Sequence, residues 1–445
     1  MLTRIEIDGF KTFRDFALDV PPFLVVLGRN GAGKSNLFDA LRFLSRLAGQ
    51  PVAEAAQHVR GDISEIFHRD AEGRSGTEMR FAVEVLLDGT ITDAFGATRE
   101  LSVVRVRYEL VIQLRPQSVG SRPYVVHESL RAVDGDFRFL DTVGPPAARR
   151  FEIRHESPDA HSVALPAANA TATVLSVIGT TSESATLFAL KRELESWRNL
   201  HLDPAALRRP DGYDEPDILG SDGAHLPNTL HRIAGLTATP DRPDGVLGDI
   251  SADLAGVISD VSGVQIDEDG RRRRREIEFR ARGRGEAVSA RVASDGTLRA
   301  AALLTAAYDP AHSGVLCFEE PENGIYPQRL ITLIQRLRAV VDRAVRSRDE
   351  DPVAPLTQVL LTSHSPAILR ALGPAQDDGV RPDAVFLTTV TRILPGRSRS
   401  KVTQPRLISA GRRPALAAQD DLDPNRRLIS PAEIADFEVR QALEA

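Results

Sequence analysis

The sequence predicts an α/β fold in which a mixed central sheet carries a glycine-rich loop, an antiparallel subsheet lies beside it, and a helical lobe is inserted. Three observations predict it. Residues 28–36 read GRNGAGKSN, directly after the apolar run 23–27 and directly before 36–44, in the order strand, glycine loop, helix. Residues 315–318 form a second apolar strand that ends in Glu319 and Glu320. Residues 359–369, VLLTSHSPAIL, hold a third that ends in Ser363 and His364. A parallel sheet presents ligands at the carboxyl ends of its strands, where all three polar clusters fall.

Composition bounds what such a fold can do. The 445 residues suit one large domain with insertions, or two to three domains of roughly 150 residues. No apolar run approaches the roughly 20 residues that span a bilayer, and the start, MLTRIEIDGF, carries no signal peptide, so the expectation is a cytoplasmic protein without a membrane contact. The single cysteine, Cys317, excludes an internal disulfide and a cysteine-built zinc site, and its apolar strand makes it a core residue. A net charge of −6 argues against a globally basic nucleic-acid binder and leaves only local arginine clusters for that task.

The glycine loop matches G-x-x-x-x-G-K-[ST] through Gly28, Gly33, Lys34 and Ser35. In that motif backbone N–H groups close around a triphosphate at a helix N-terminus, where the helix dipole favours negative charge. Lys34 is one of four lysines set against fifty-two arginines. A compact ammonium on a thin stem reaches the β- and γ-phosphates where a broad guanidinium does not fit. Ser35 offers its hydroxyl to Mg²⁺, and the cradle for ATP comprises Gly28, Arg29, Asn30, Gly31, Ala32, Gly33, Lys34, Ser35 and Asn36. Of the paired acids, Glu319 suits a metal-supporting Walker B carboxylate and Glu320 a water-polarising base. About twenty residues earlier, ASDGTLRAAALL opens a helix at Ser294. Its free N–H groups suit an anion, and a simple capping turn would read the same.

The remaining elements follow in order. Residues 79–87 and 102–114 alternate as strands, with Val104, Val106, Tyr108, Leu110 and Ile112 on one face. Residues 116–170 suggest further strands and loops. Residues 182–202 read as an amphipathic helix capped by Ser182 or Ser184, and two shorter helical stretches follow near 226–235 and 246–262. No heptads persist long enough for a coiled-coil arm. Residues 267–286, DEDGRRRRREIEFRARGRGE, suit a hairpin that turns near Gly270. Arg280, Arg282 and Arg284 lie on its outward face and Arg271, Arg272, Arg273, Arg274 and Arg275 near its tip. That surface reads either as solvated and balanced by neighbouring acids, or as a non-specific, salt-dependent contact for a DNA backbone. Residues 383–390 add a strand, followed by a basic and acidic tail with a short C-terminal helix.

Together these pieces resemble the ABC type of P-loop ATPase head, and within it the RecF, SMC and OLD (overcoming lysogenization defect) branch. IEIDGFKTFRDF at 5–16, SDGT at 294–297, EEPE at 319–322 and TSHSP at 362–366 are similar to that branch's motifs over roughly 1–130 and 250–390. The resemblance implies a composite site between two facing heads. ATP and Mg²⁺ would be held by one subunit while Ser294 and Gly296 of the other close on the γ-phosphate. Glu319 would support Mg²⁺ together with Ser35. Glu320 would polarise water, His364 would contact the γ-phosphate, and Lys34 would stabilise charge. Gln57 and Gln113 are the candidates for the branch's Q-loop glutamine, neither in convincing context. The Glu319 acid and the signature without a glycine pair depart from the transporters.

The expected organisation is an N-terminal ATPase half at 1–130, an insertion at 131–250, a C-terminal ATPase half at 251–390 and a tail at 391–445. The residues after His364 are too few for the Toprim nuclease domain of OLD proteins, so any nuclease is expected on another chain. The resemblance implies an ATP-dimerised switch that controls a nuclease or toxin in anti-phage defence. The alternatives are a RecF-type DNA repair ATPase and an ATP-held scaffold with little hydrolysis.

Overall fold

The computed structural model describes residues 1–445 except 119, 155–161, 182–183, 284–286, 351–355, 373–379, 394–398, 410–427, 431–432, 435 and 437–445. Two sheets organise it. The first has eight antiparallel strands in the order Val163–Pro166, Arg150–Ile153, Arg138–Val143, Ser121–Ala132, Arg105–Pro116, Glu78–Leu86, Leu2–Asp8 and Phe16–Asp19. Alternation in Arg105–Pro116 buries Val106, Tyr108, Leu110 and Ile112, as the sequence predicts. Phe10 and Phe81 of this sheet region pack on Phe43 of the following helix, with centroids 6.0 and 5.9 Å from it. The antiparallel sheet is thereby fastened to the element that carries Lys34.

The second sheet has seven strands in the order Arg198–Leu200, Gly314–Glu319, Thr357–Ser363, Phe23–Gly28, Val380–Ile393, Arg399–Ser409 and Leu428–Ile429. The first five run parallel, and Arg399–Ser409 is antiparallel to its neighbour Val380–Ile393. Its central strands are buried on both faces, so they read as continuous apolar runs. Leu24 and Val26 point into one core with Val315 and Cys317, while Phe23, Val25 and Leu27 point into the other with Leu316 and Phe318. The arrangement is the expected one: a glycine-loop strand inside a mixed sheet, with an antiparallel subsheet alongside. Among the described residues, no helix is long and apolar enough to cross a membrane.

Two boundaries differ from expectation. Residues 131–250 are not one insertion. Their early strands extend the antiparallel sheet. The expected helix runs only over Ala185–Ser196, capped by Ser184 Oγ at the Leu187 N–H, while Ser182 lies outside the described residues. After buried Trp197 the chain turns extended, and Arg198–Leu200 pairs with the acid-bearing strand, Leu200 opposite Phe318. What remains of the lobe is Leu226–Thr237 and Leu247–Val257, packed with the arginine hairpin and the helix Asp295–Ala307. The expected tail from 391 is likewise part of the sheet, because Arg399–Ser409 adds a long antiparallel strand. Its buried side chains include Ser400, Thr403 and Gln404, so apolar alternation, the usual sign of a strand, is missing. The expected C-terminal helix lies largely outside the described residues.

Candidate nucleotide site

The loop after Phe23–Gly28 needs glycine for conformation and for space. Gly31 and Gly33 have φ of 77° and 99°, and a Cβ on Gly33 would stand 2.2 Å from Thr403 Oγ1. Thr403 belongs to the strand Arg399–Ser409. Its hydroxyl donates to Ala32 O at 3.0 Å and lies 2.7 Å from Thr12 Oγ1, which accepts from Asn36 Nδ2 at 2.9 Å. The loop is therefore clamped from the N-terminal sheet and from the far end of the chain. Arg29 and Asn30 are exposed at its tip, Ala32 is buried and Ser35 is half-buried in the first turn of Lys34–Leu47.

Lys34 is 6% exposed, and its Nζ donates to Gly28 O at 2.6 Å and Arg29 O at 3.2 Å. Burial lowers its pKa, against which the charges of Glu320, Glu322 and Glu319 act. A buried ammonium hydrogen-bonded to the backbone of its own loop, and facing three carboxylates without an ion pair to any, suits a polyanion that brings its own cation.

The acids lie on the neighbouring strands. Glu319 is in register with Thr362, and Glu320 follows with φ 48°, a left-handed backbone uncommon outside glycine. His364 Nδ1 stands 3.6 Å from Glu320 Oε1 and 3.0 Å from Glu322 Oε1. Glu322 Oε1 also accepts from Ser363 Oγ at 2.7 Å and from the His364 N–H at 2.9 Å. Its pairing with His364 holds Glu320 at a pKa of about 2, and the same pairing raises His364 above its ordinary value. Glu322 Oε2 and Thr362 Oγ1 are buried with no hydrogen-bond partner. Unsatisfied buried oxygens flanking the acids fit a hydrated Mg²⁺, which supplies both positive charge and water donors.

The remaining expected residues are placed differently. Ser294 Oγ caps Asp295–Ala307 at the Thr297 N–H, 3.2 Å away, and is exposed. A Cβ on Gly296 would stand 2.5 Å from Gly324 O, so this glycine is required by packing within the chain. Among the described residues, no hydrogen bond or ion pair joins Ser294 or Gly296 to Lys34, Glu320 or His364. The Q-loop candidates also fall elsewhere. Gln57 is exposed at the end of Val52–Gln57, and Gln113 accepts from Arg115 within the antiparallel sheet. The position beside Glu319 belongs to His201, whose Nδ1 is 3.6 Å from Glu319 Oε2. The short strand Arg198–Leu200 just before it offers no periodicity to read, although WRNLHL followed by Asp-Pro is a signal. A cavity of about 850 Å³ lies on this His201 side, with Arg42, His58 and Asn199 in its lining.

Comparison with known proteins adds to this geometry. Residues 23–370 match the family described as "AAA domain, putative AbiEii toxin, Type IV TA system". The chain belongs to this family. Curated relatives include the chromosome partition protein Smc of Bordetella petrii, 32% identical over 144 residues, and that of Methanocaldococcus jannaschii, 46% identical over 44 residues. The matched segments cover 32% and 10% of this chain but only 11% and 4% of those proteins, so it spans about a tenth of their length or less. Among solved structures, an Smc head bound to the C-terminal winged-helix domain of ScpA is similar at 12% identity and a TM-score of 0.47, over 90% of this chain and 97% of that one. A Pyrococcus furiosus Smc head with an extended coiled coil, bound to the C-terminal domain of ScpA, is similar at 11% identity and 0.47, over 92% and 96%.

In this AAA-family chain the arginine hairpin forms as expected, Val261–Asp269 with Arg274–Ala281, and buries Val264, Ile277 and Phe279. Its arginines are not a free cluster. Arg273 pairs with both oxygens of Asp214 at 3.1 Å. Arg275 donates to Asn228 Oδ1 at 3.0 Å and stacks on Tyr213, 4.4 Å from the ring centroid. Arg282 donates to Ala255 O, Arg271 and Arg274 are exposed, and Arg284 lies outside the described residues.

Proposed function

We propose that this chain is an ATP-hydrolysing switch that pairs head to head with a second copy and controls a nuclease or toxin partner in anti-phage defence. The observation that supports hydrolysis is the convergence of Lys34, Glu320 and His364 at the carboxyl ends of neighbouring parallel strands. Residues Gly28 to Asn36 cradle the triphosphate, and Lys34 exchanges its backbone carbonyls for phosphate oxygens. Ser35 and Glu319 hold Mg²⁺, which offsets phosphate charge when bound. Glu320 works by accepting a hydrogen bond from the attacking water and aligning it, as phosphoryl transfer demands positioning and charge stabilisation above all. His364 turns from Glu320 and Glu322 toward the γ-phosphate, and Ser294 and Gly296 close the site from the second copy.

The family's description, which names a toxin and a type IV TA system, supports the defence reading. The Smc relatives support the second reading, an ATPase acting directly on DNA. Steady-state ATP hydrolysis with and without double-stranded DNA tests both. Glu320→Gln should lose roughly 10²–10⁴-fold in rate while still binding ATP. Unchanged turnover in that variant would remove the catalytic assignment. DNA stimulation that vanishes with it would favour the second reading, and indifference to DNA a protein partner.

A further inference from the structure

Away from the phosphate loop, three metal-ligating side chains converge that the proposed hydrolysis does not use. Asp211 lies on the short strand Asp211–Gly212, Glu215 in the turn after it, and His225 immediately before Leu226–Thr237. Their Oδ1, Oε2 and Nδ1 atoms lie within 4.8 Å of one another. His225 Nδ1 is 3.5 Å from Asp211 Oδ1 and 3.7 Å from Glu215 Oε2, beyond the roughly 2.7–3.2 Å of an N–H···O hydrogen bond. They are close to the edges of a coordination tetrahedron, since bonds of about 2.1 Å put ligands about 3.4 Å apart. Independently, His225 Nδ1 is buried without a hydrogen-bond partner. Asp211, its side chain 3% exposed, turns Oδ1 toward that nitrogen.

The surroundings are built to hold these groups. Asp211 Oδ2 accepts from the Asn228 N–H at 3.0 Å. Asn228 Nδ2 donates to Gly212 O at 2.8 Å and Glu215 O at 3.2 Å, and Asn228 Oδ1 is fixed by Arg275. Such supports orient ligands and tune affinity. Glu215, half exposed, leaves a path for an ion to enter.

We propose that Asp211, Glu215 and His225 bind a divalent transition-metal ion, with zinc as the first candidate and water completing the tetrahedron. One imidazole with two carboxylates suits zinc better than calcium or magnesium, which take mostly oxygen ligands. The ion would staple the segment between 203 and 225 to Leu226–Thr237. Arg208 of that segment holds Asp295 Oδ1 at 2.5 Å and Ala293 O at 3.0 Å, so the staple would also brace the turn that carries Ser294 and Gly296.

The test is zinc titration of the chelator-treated full-length protein against a chromogenic chelator, without nucleotide. One zinc per chain is expected, with affinity reduced at least tenfold in His225→Ala and in Glu215→Gln, both partly exposed positions checked for folding by circular dichroism. Asn228→Ala should lower affinity about 10- to 100-fold. Cobalt should give the visible absorption of a tetrahedral site in the wild type and not in His225→Ala. Lys34→Ala should keep its zinc, which separates this site from the nucleotide reading. No zinc held against the competitor, or equal zinc in both ligand variants, would overturn the proposal.

Discussion

The carboxyl edge of the central sheet and the arginine hairpin both gather charge, and the fold treats them in opposite ways. At the hairpin most of the tip arginines are met locally: Arg273 by Asp214, Arg272 by Asp269 and Arg275 by Glu268, while just beyond it Arg291 is met by Glu276. At the sheet edge Glu319, Glu320 and Glu322 gather near Lys34, and among the described residues no guanidinium ion pair is recorded for any of them. The hairpin is largely balanced by its own neighbours. The edge leaves Lys34 on backbone carbonyls and Glu322 Oε2 unpartnered, an arrangement that a charged ligand completes. Charge density in a sequence is thus no measure of unmet charge, which here gathers at the ends of buried parallel strands.

The largest effect should come from the lysine. Lys34→Ala should weaken ATP binding by about 10²-fold or more, measured calorimetrically, because it removes a desolvated contact to phosphate. Lys34→Arg should fail nearly as badly, since the guanidinium is too broad for the loop. Wild-type binding by the arginine variant would make the edge another ion-pair patch and break the comparison.

Next comes the clamp. Gly33→Ala meets both a left-handed φ and the Thr403 hydroxyl, and should abolish nucleotide binding in a folded protein. Thr403→Val keeps the shape but loses the bonds to Ala32 O and Thr12 Oγ1. It should cost about 1–3 kcal/mol in stability and roughly tenfold in ATP affinity. Equal affinity with reduced stability would show that the strand Arg399–Ser409 supports the fold without shaping the loop.

What the sequence revealed divides along the same physical line. Phe23–Gly28, Gly314–Glu319 and Thr357–Ser363 are buried on both faces, so their apolar runs and polar ends were readable, and with them Lys34, Glu319, Glu320 and His364. Arg399–Ser409 is hard to read because hydroxyls and an amide interrupt its buried Val402 and Ile408 and find distant partners, such as Ser400 on His68 Nε2 at 2.6 Å. Arg198–Leu200 is illegible because three residues show no period, and the adjoining His201 shares that silence. The unpartnered oxygen of Glu322 depends on tertiary hydrogen bonds that no local pattern encodes.

A buried acid outside the site sharpens the contrast through pH. Glu128 is fully buried, and burial raises its pKa to about 7 although Tyr108 Oη donates to it at 2.9 Å and the Val174 N–H at 2.7 Å. A carboxyl whose folded pKa lies above its unfolded value of about 4.5 binds more protons when folded. Its contribution is therefore full below about pH 4.5 and lost as pH rises through about 7. Glu320 has the opposite sign: its contribution is present above about 4.5 and lost only as pH falls toward about 2. Thermal unfolding of Glu128→Gln should lose the decline between pH 4.5 and 7 that the wild type shows, and should be about 1–3 kcal/mol less stable because one of two acceptors is gone. An unchanged slope would remove Glu128 as its source.

The smallest effect is expected where the arginines are densest. Arg271 and Arg274 are exposed at the hairpin tip and carry none of the ion pairs described above, and replacing both by alanine leaves the pairs of Arg272, Arg273 and Arg275 intact. Where the hairpin only balances its own charges, retention on double-stranded DNA at low salt should change less than about threefold, with the same salt dependence. A backbone-tracking surface would instead lose about one phosphate contact per arginine, and the slope of log affinity against log salt would fall by about 0.9 for each. Measuring that slope separates the two readings better than affinity alone, because removing any surface cation weakens attraction slightly while only removal of a true phosphate contact lowers the number of counterions released.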